Sequence, residues 1–203
     1  CFGGLGGNFV NPALAGRGML MVAWPVAMTT FYQVGQVGVE GMTTATPLAI
    51  IKGTSEGILP SVADMFLGNT AGVMGETCAL ALIIGGIYLI VRRVISWRIP
   101  VIYLATVAVF IFIARGAGAV PQHLFSGGLM LGAIFMATDY VTSPTNPSAQ
   151  IVYALGCGVI TCVIRLFGGY SEGVCFSILL MNLATPLIER ALKPKLYGEV
   201  KAK

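Results

Sequence analysis

Six stretches of mainly apolar residues alternate with polar segments along the chain. They lie at residues 18–31, 75–91, 99–114, 124–138, 151–164 and 173–188. A helix that crosses a bilayer needs about 20 apolar residues, so several stretches are short, and the last three also contain glycine, proline or polar residues. Short and interrupted segments are typical of membrane proteins with sites inside the bilayer. The pattern predicts an all-α, polytopic membrane protein with about six transmembrane helices, forming a single integral membrane domain over residues 1–203.

The composition supports a lipid environment. Hydrophobic residues make up 56% of the 203 residues and charged residues only 10%, whereas soluble domains carry roughly 25% charged residues. The lipid bilayer is therefore the expected surroundings of the chain. No basic stripe is interleaved with aromatic residues, so the net charge of +4 does not indicate a nucleic-acid partner. The five cysteines lack the short spacings of iron–sulfur ligands, and we expect those in apolar stretches to be small buried side chains.

The chain begins with Cys1 rather than methionine. No charged segment followed by an apolar core and a cleavage site comes after it, so the start does not have the pattern of a secretory signal. We interpret the chain as an internal part of a longer membrane protein.

The basic residues predict how the helices are oriented. Six alternating spans place nine of the twelve basic residues on one side, and basic loops are typically cytoplasmic. These nine are Arg17, Arg92, Arg93, Arg98, Arg190, Lys193, Lys195, Lys201 and Lys203. The remaining three, Lys52, Arg115 and Arg165, fall on the outer side. Residues 189–203 then form a basic cytoplasmic tail, and the C-terminus is cytoplasmic.

The same orientation places the long polar stretch at residues 32–74 on the outer face. Loops longer than about 12–15 residues are usually functional or disordered. This loop contains apolar stretches at residues 45–51 and 67–74 that argue against disorder. We expect it to fold onto the outer surface of the helices.

The segment at residues 3–17 is richer in glycine, asparagine and proline than a lipid-facing helix allows. Its glycines and the Asn11-Pro12 pair predict a broken helix whose backbone groups need partners inside the membrane. One interpretation is a binding segment in which Asn11 contacts a ligand. The alternative is a re-entrant or interfacial turn without a ligand.

A second such segment, at residues 138–150, begins with Asp139 and faces the cytoplasm without a basic residue. Its prolines, Pro144 and Pro147, are expected to exclude helix. One interpretation is a structured loop in which Asp139 is a helix-end or turn residue and orients Thr142 and Ser143. The other is a hydroxyl- and carbonyl-rich site for a cofactor or an ion.

The third segment, at residues 40–47, places Thr43, Thr44 and Thr46 directly before Pro47. A threonine-rich turn is commonplace, and the residues alone give it no function.

Four pieces of sequence together resemble the D subunit of the Rnf complex and its relative, the B subunit of the sodium-translocating NADH:quinone reductase. They are GGLGGNFVNPALAGR, TPLA, GETCALALIIGGIYLI and FSGGLMLGAIFMATDYVTSPTNP, in that order. The resemblance covers essentially the whole chain. In that family further helices precede the point that corresponds to Cys1, so the chain corresponds to the C-terminal two-thirds of a subunit of the inner (cytoplasmic) membrane.

The resemblance implies a covalent flavin. In the family, flavin mononucleotide (FMN) is joined through its phosphate to a threonine by a flavin transferase, in a motif that corresponds to residues 40–46. Thr46 is then the linked residue, with Thr43, Thr44, Ala45 and Pro47 shaping the flavin turn. Glu40 replaces the family's aspartate, and Thr44 replaces its small residue. The resemblance also implies a second, non-covalent flavin such as riboflavin, or an ion path, near Asn11, Asp139, Thr142 and Ser143.

The implied function is electron transfer within an ion-translocating ferredoxin:NAD⁺ oxidoreductase, a translocase whose other membrane and soluble subunits carry the remaining reactions. The chain has no nucleotide-binding glycine fingerprint of its own. The alternatives are a channel or carrier for a small neutral solute, since the family fold is similar to that of urea channels, and a scaffold subunit that binds nothing. No catalytic side chain and no metal site are predicted.

Overall fold

The computed structural model describes residues 8–29, 45–73, 75–169 and 172–192. All regular structure in these ranges is helical, as predicted. The helices are α1 (Pro12–Ala23), α2 (Pro25–Thr29), α3 (Pro47–Lys52), α4 (Val62–Leu67), α5 (Ala79–Val91), α6 (Arg98–Arg115), α7 (Ala119–Phe125), α8 (Leu129–Leu131) with a π-helical continuation (Gly132–Met136), α9 (Pro147–Phe167) and α10 (Val174–Ala191).

Each of the six predicted apolar stretches contains helix, but the bounds differ. Residues 18–31 hold the second half of α1 and all of α2, and residues 124–138 hold the end of α7, α8 and its π-helical continuation. Within the described ranges, α6, α9 and α10 have the length and composition to cross a membrane. A fourth crossing is formed if α7 and α8 with its π-helical continuation count as one span, which bends by 67°. Helix α5 has 13 residues and α1 only 12. The chain is therefore polytopic, with short and broken helices beside three full-length ones.

The packed core lies between α6, α9 and α10. The side chain of Ser96 contacts Gln150 near the start of both α6 and α9, so these two helices run parallel. Helix α10 returns antiparallel to α9, because Thr161 near the end of α9 meets Ser177 near the start of α10 at 2.8 Å. Tyr103 of α6 joins the same buried cluster through its hydroxyl, 2.6 Å from the Thr161 oxygen. Because these buried hydroxyls satisfy one another, the core avoids the cost of unpaired polar groups.

The core has two ends, each named here for the arginine of α6 that lies there. The Arg98 end holds Arg98, Pro147 and Ala191, and the Arg115 end holds Arg115, Phe167 and Val174.

The long loop packs at the Arg115 end. Arg115 donates to the Ile51 carbonyl at 3.3 Å, and the Lys52 ammonium donates to the Gly168 carbonyl. Leu48 and Met65 of the loop are buried. Residues 45–73 therefore pack against the helices, as expected, and their location on the outer face stays a prediction.

Two asparagine–proline pairs begin helices. The Asn11 side chain accepts a hydrogen bond from the Ala13 amide at 3.0 Å, with Pro12 as the first residue of α1. Asn146 caps α9 in the same way, with Pro147 as its first residue. Proline suits the first helical position because its missing N–H would have no partner there. The prediction that Pro147 excludes helix is therefore wrong, while Pro144 lies in the preceding loop.

Arg17 lies at a different place from the one predicted. Helix α1 starts at Pro12 and not at residue 18, so Arg17 is inside it, and its guanidinium reaches Glu76 and Glu172. Glu172 belongs to the connection between α9 and α10 at the Arg115 end. The grouping of Arg17 with Arg98 is therefore wrong. Of the basic residues that the structure describes, Arg17, Lys52, Arg115 and Arg165 lie at the Arg115 end and Arg92, Arg93, Arg98 and Arg190 at the Arg98 end, while Lys193, Lys195, Lys201 and Lys203 lie outside the described ranges. Within the first apolar stretch the helix is interrupted at Trp24, between α1 and α2, and residues 30 and 31 lie outside the described ranges.

Candidate functional site

A cavity of about 490 Å³ opens at the Arg115 end. Its walls come from α1 and α2, the start of α3, the segment at residues 70–77, the break between α7 and α8, and the connection between α9 and α10. A volume between 300 and 1,000 Å³ is usual for sites that bind small molecules and cofactors. The cavity therefore has the size of a cofactor site.

Thr46 lies at the wall of this cavity, at the start of α3. Its backbone is extended, and its hydroxyl accepts a hydrogen bond from the Ala49 amide at 3.3 Å, so Thr46 is the N-cap of α3. Pro47 is the buried first residue of that helix, and Ala45 is half-buried beside it. All three line the cavity. Thr43 and Thr44, the other predicted residues of this turn, lie outside the described ranges.

The cavity also contains an ion-pair cluster. The Arg17 guanidinium donates through Nη1 to Glu76 Oε1 at 2.5 Å and through Nη2 to Glu172 Oε2 at 2.9 Å. The second oxygen of Glu172 accepts from the Gly128 amide at 2.5 Å. Only 5% of the Glu76 side chain and 20% of the Arg17 side chain are exposed. Partly buried charges of this kind need partners, and this cluster supplies them from separate parts of the chain.

The break between α7 and α8 forms another part of the cavity wall. Gly127, in the break, adopts a positive φ of 65°, a conformation that glycine tolerates readily. Arg165 of α9 holds the break by donating to the His123 carbonyl at 2.6 Å and to the Ser126 carbonyl at 3.2 Å. The Ser126 hydroxyl is buried and has no hydrogen-bond partner among the residues that the structure describes. A buried unpaired hydroxyl in a cavity wall is suited to bonding a ligand.

Lys52 lies near Thr46 in sequence, and its ammonium points to the Gly168 carbonyl. Burial lowers the pKa of Lys52. Among the residues that line the described cavity, the cationic one is Arg17. Sequence reasoning used Arg17 only to orient the helices and missed Glu76, Glu172 and Ser126. The available signal was an arginine directly before the first apolar stretch, because a charge at membrane depth usually marks a functional site.

A second polar group lies at the Arg98 end. Asp139 Oδ2 accepts from Thr142 Oγ1 at 3.1 Å and from Asn11 Nδ2 at 3.5 Å. The Asp139 carbonyl accepts from the Ser143 amide at 2.9 Å. Asp139 therefore orients Thr142 and Ser143 through a turn, as one of the two interpretations expected, and the structure brings all four predicted residues together. Ser143 also lines a separate cavity of about 200 Å³ with Ser96.

The fold and its cavities define the class of the protein. It is a polytopic helical membrane protein in which short and broken helices enclose a polar site at each end of a three-helix core.

Comparison with known proteins gives the family. The chain belongs to the NQR2, RnfD, RnfE family, whose model matches residues 1–198. It is 54% identical over 205 residues to the D subunit of the Na⁺-translocating ferredoxin:NAD⁺ oxidoreductase complex of Acetobacterium woodii, covering 100% of this chain and 63% of that relative.

Two further relatives are the D subunits of other such complexes. The chain is 47% identical to the one from the proton-translocating ferredoxin:NAD⁺ oxidoreductase complex of Clostridium ljungdahlii, covering 97% of this chain and 63% of the relative. It is 39% identical to the D subunit of the ion-translocating oxidoreductase complex of Halorhodospira halophila, covering 98% of this chain and 66% of that relative. The chain thus spans less than two thirds of the length of these relatives, 63% of the first two and 66% of the third. The resemblance that the four sequence pieces indicated is confirmed.

Proposed function

We propose that this chain is a membrane subunit of an ion-translocating ferredoxin:NAD⁺ oxidoreductase complex and that it carries electrons on an FMN joined through its phosphate to Thr46. The observation that carries the proposal is the position of Thr46, which lines a cofactor-sized cavity. The names of the relatives from Acetobacterium woodii and Clostridium ljungdahlii supply the class of complex.

The residues of the cavity fit a flavin. Its volume of about 490 Å³ suits a group of that size, and the buried Ser126 hydroxyl has no partner among the described residues. Thr46 supplies the hydroxyl for a phosphoester, while Arg17 and Ser126 line the cavity and offer hydrogen-bond donors to a ring. A bound flavin supplies one- and two-electron redox chemistry, and the protein's contribution is to position it and tune its electronics. The other membrane and soluble subunits and the flavin transferase are the partners that this function requires.

Flavin fluorescence in a denaturing gel tests the proposal. The full-length subunit, produced together with its flavin transferase, is expected to fluoresce under ultraviolet light after denaturation, because only a covalent flavin stays with the chain. A channel or carrier for a neutral solute has no use for such a group. A dark band from protein made with an active transferase would favour that alternative.

We propose further that the Arg115 end, with Thr46, faces outward. Arg17, Lys52, Arg115 and Arg165 lie at this end, and Arg92, Arg93, Arg98 and Arg190 lie at the other. The sequence that follows α10 at the Arg98 end adds Lys193, Lys195, Lys201 and Lys203, and cytoplasmic loops carry the excess of basic residues. Glu56, in the long loop, and Arg92, after α5, are both exposed. In a background without other cysteines, an impermeant thiol reagent added to intact cells is expected to label Glu56→Cys and not Arg92→Cys. Labelling of Arg92→Cys alone would reverse the orientation.

The cluster of Asn11, Asp139, Thr142 and Ser143 is proposed as a second site, for a non-covalent flavin such as riboflavin or for the coupling ion. The close approach of Asn11 to the Asp139 carboxylate supports a site shared by α1 and the loop before α9. Asp139→Asn keeps the shape and removes the charge, so we expect ion-coupled electron transfer by the complex to fall at least tenfold, about 1.4 kcal/mol. If coupled activity is unchanged, Asp139 serves the turn only.

A further inference from the structure

We infer that Arg17, held between Glu76 and Glu172, is the charged group that sets the reduction potential of the flavin on Thr46. The inference rests on the proposed function and goes beyond it, because it assigns a tuning role to a cluster that the attachment of FMN does not require. Its basis is that Arg17, Glu76, Glu172 and Thr46 line one and the same cavity.

The geometry of Arg17 leaves donors for a ligand. A guanidinium has five N–H donors in a rigid fork, and the two glutamates accept from Nη1 and Nη2. Both ion pairs fix the orientation of the guanidinium plane, and a fixed plane loses little entropy when it binds a further acceptor. The carbonyl and nitrogen acceptors of a flavin's pyrimidine ring suit such a donor. Arg17 is therefore preorganised to contact the ring and not only to pair with the two acids.

The partial burial of the cluster strengthens the effect of the Arg17 charge on a bound flavin. The side chains of Arg17, Glu76 and Glu172 are only 20%, 5% and 15% exposed, so solvent screens them less than it screens surface charges. A nearby positive charge stabilises the extra negative charge of a reduced ring, and a nearby carboxylate disfavours it. Arg17 should raise the potential, while Glu76 and Glu172 moderate that effect.

The test is whether substitutions at the two members of one ion pair shift the flavin's reduction potential in opposite directions. The full-length subunit in its complex, made with the flavin transferase, is titrated with dithionite as the electron donor while flavin absorbance is recorded. Arg17→Gln is expected to lower the ratio of reduced to oxidised flavin at a fixed potential about tenfold, which is ~59 mV for one electron or ~30 mV for two. At alkaline pH, where Glu76 is ionised although burial raises its pKa to about 7, Glu76→Gln is expected to shift the potential the other way. A purely structural role would not produce shifts of opposite sign.

Arg115→Gln is the matched control, because it removes the same charge at the same end of the core from an exposed side chain that donates to the Ile51 carbonyl. Its potential is expected to equal that of the unaltered complex. If Arg17→Gln fails to accumulate, because it leaves two carboxylates without their partner, Arg17→Lys and Glu76→Gln carry the measurement. Arg17→Lys keeps the charge and is expected to change the ratio of reduced to oxidised flavin at a fixed potential less than tenfold.

Attachment and potential are measured separately, which keeps this inference distinguishable from the proposed function. Flavin fluorescence of the denatured subunit reports attachment independently of the potential. If fluorescence is present but the potentials of Arg17→Lys, Glu76→Gln and Arg115→Gln coincide, the tuning role is wrong and the attachment to Thr46 stands. If the unaltered subunit lacks covalent flavin, the proposed function fails and the inference fails with it.

Discussion

Replacing Thr46 with alanine is expected to abolish covalent flavin attachment and the electron transfer that depends on it, while the subunit still folds. A phosphoester requires a hydroxyl, and alanine has none. The substitution also lowers the stability of the subunit, because the Thr46 hydroxyl caps α3 by accepting a hydrogen bond from the Ala49 amide. Loss of such a cap costs about 1 kcal/mol, which is too little to unfold a protein with this core. In-gel fluorescence and ferredoxin-dependent NAD⁺ reduction by the complex measure the result.

Thr46→Asn separates the cap from the attachment. Asparagine is as good an N-cap as threonine or better, so this variant restores the helix start without restoring an esterifiable hydroxyl. We expect it to be as stable as the unaltered subunit and to carry no covalent flavin. Thr54→Ala is the matched control, because Thr54 lines the same cavity and its hydroxyl bonds the Ala49 carbonyl. That variant should keep its flavin, and Thr43→Ala and Thr44→Ala, which alter neighbours in the turn, should retain at least some. Full fluorescence in Thr46→Asn would show that another residue bears the flavin.

Replacing Arg165 with methionine is expected to give the largest loss of stability. Arg165 is 3% exposed and donates to the carbonyls of His123 and Ser126. Methionine fills the space but donates no hydrogen bond, so both buried carbonyls lose their partner at a cost of about 1–3 kcal/mol each. We expect the free energy of unfolding to fall by roughly 3 kcal/mol, which thermal unfolding in detergent detects as a lower midpoint.

The same substitution should also reduce flavin attachment, because Ser126 and Gly127 form part of the cavity wall. The flavin content and stability of Arg165→Lys are expected to lie between those of Arg165→Met and of the unaltered subunit. A single ammonium does not reproduce the planar fork that serves two carbonyls. Arg115→Gln is the control. Because the Arg115 side chain is exposed, this substitution should change the free energy of unfolding by no more than about 0.5 kcal/mol. An unfolding midpoint of Arg165→Met equal to that of Arg115→Gln would show that the break between α7 and α8 is held by other contacts.

The helices themselves were predictable from apolar stretches, because a helix in a membrane must satisfy its own backbone and present an apolar surface. Their starts were predictable in principle as well. Asn11-Pro12, Thr46-Pro47 and Asn146-Pro147 each combine an N-cap residue with a proline at the first helical position, and all three begin helices. The error at Pro147 came from reading proline as a breaker without considering that position.

The charged part of the site was not predictable in this way. Arg17 pairs with Glu76 and Glu172, which are 59 and 155 residues away along the chain. No local pattern specifies contacts at such separations, since they depend on how α1 packs beside α10. The bend of 67° between α7 and the helix that follows it is likewise held by Arg165, a residue of α9. The resemblance to the family pointed to the turn at Thr46, but the cavity beside it was not predictable from sequence.

Mass spectrometry of the peptide that contains Thr46 tests the central claim most directly. The full-length subunit is produced together with its flavin transferase, digested, and its peptides are fragmented to locate any added mass. The account predicts that the mass of FMN, less one water, lies on Thr46 and is absent from the Thr46→Asn variant. An unmodified Thr46 in protein made with an active transferase, or the added mass on another residue, would contradict it.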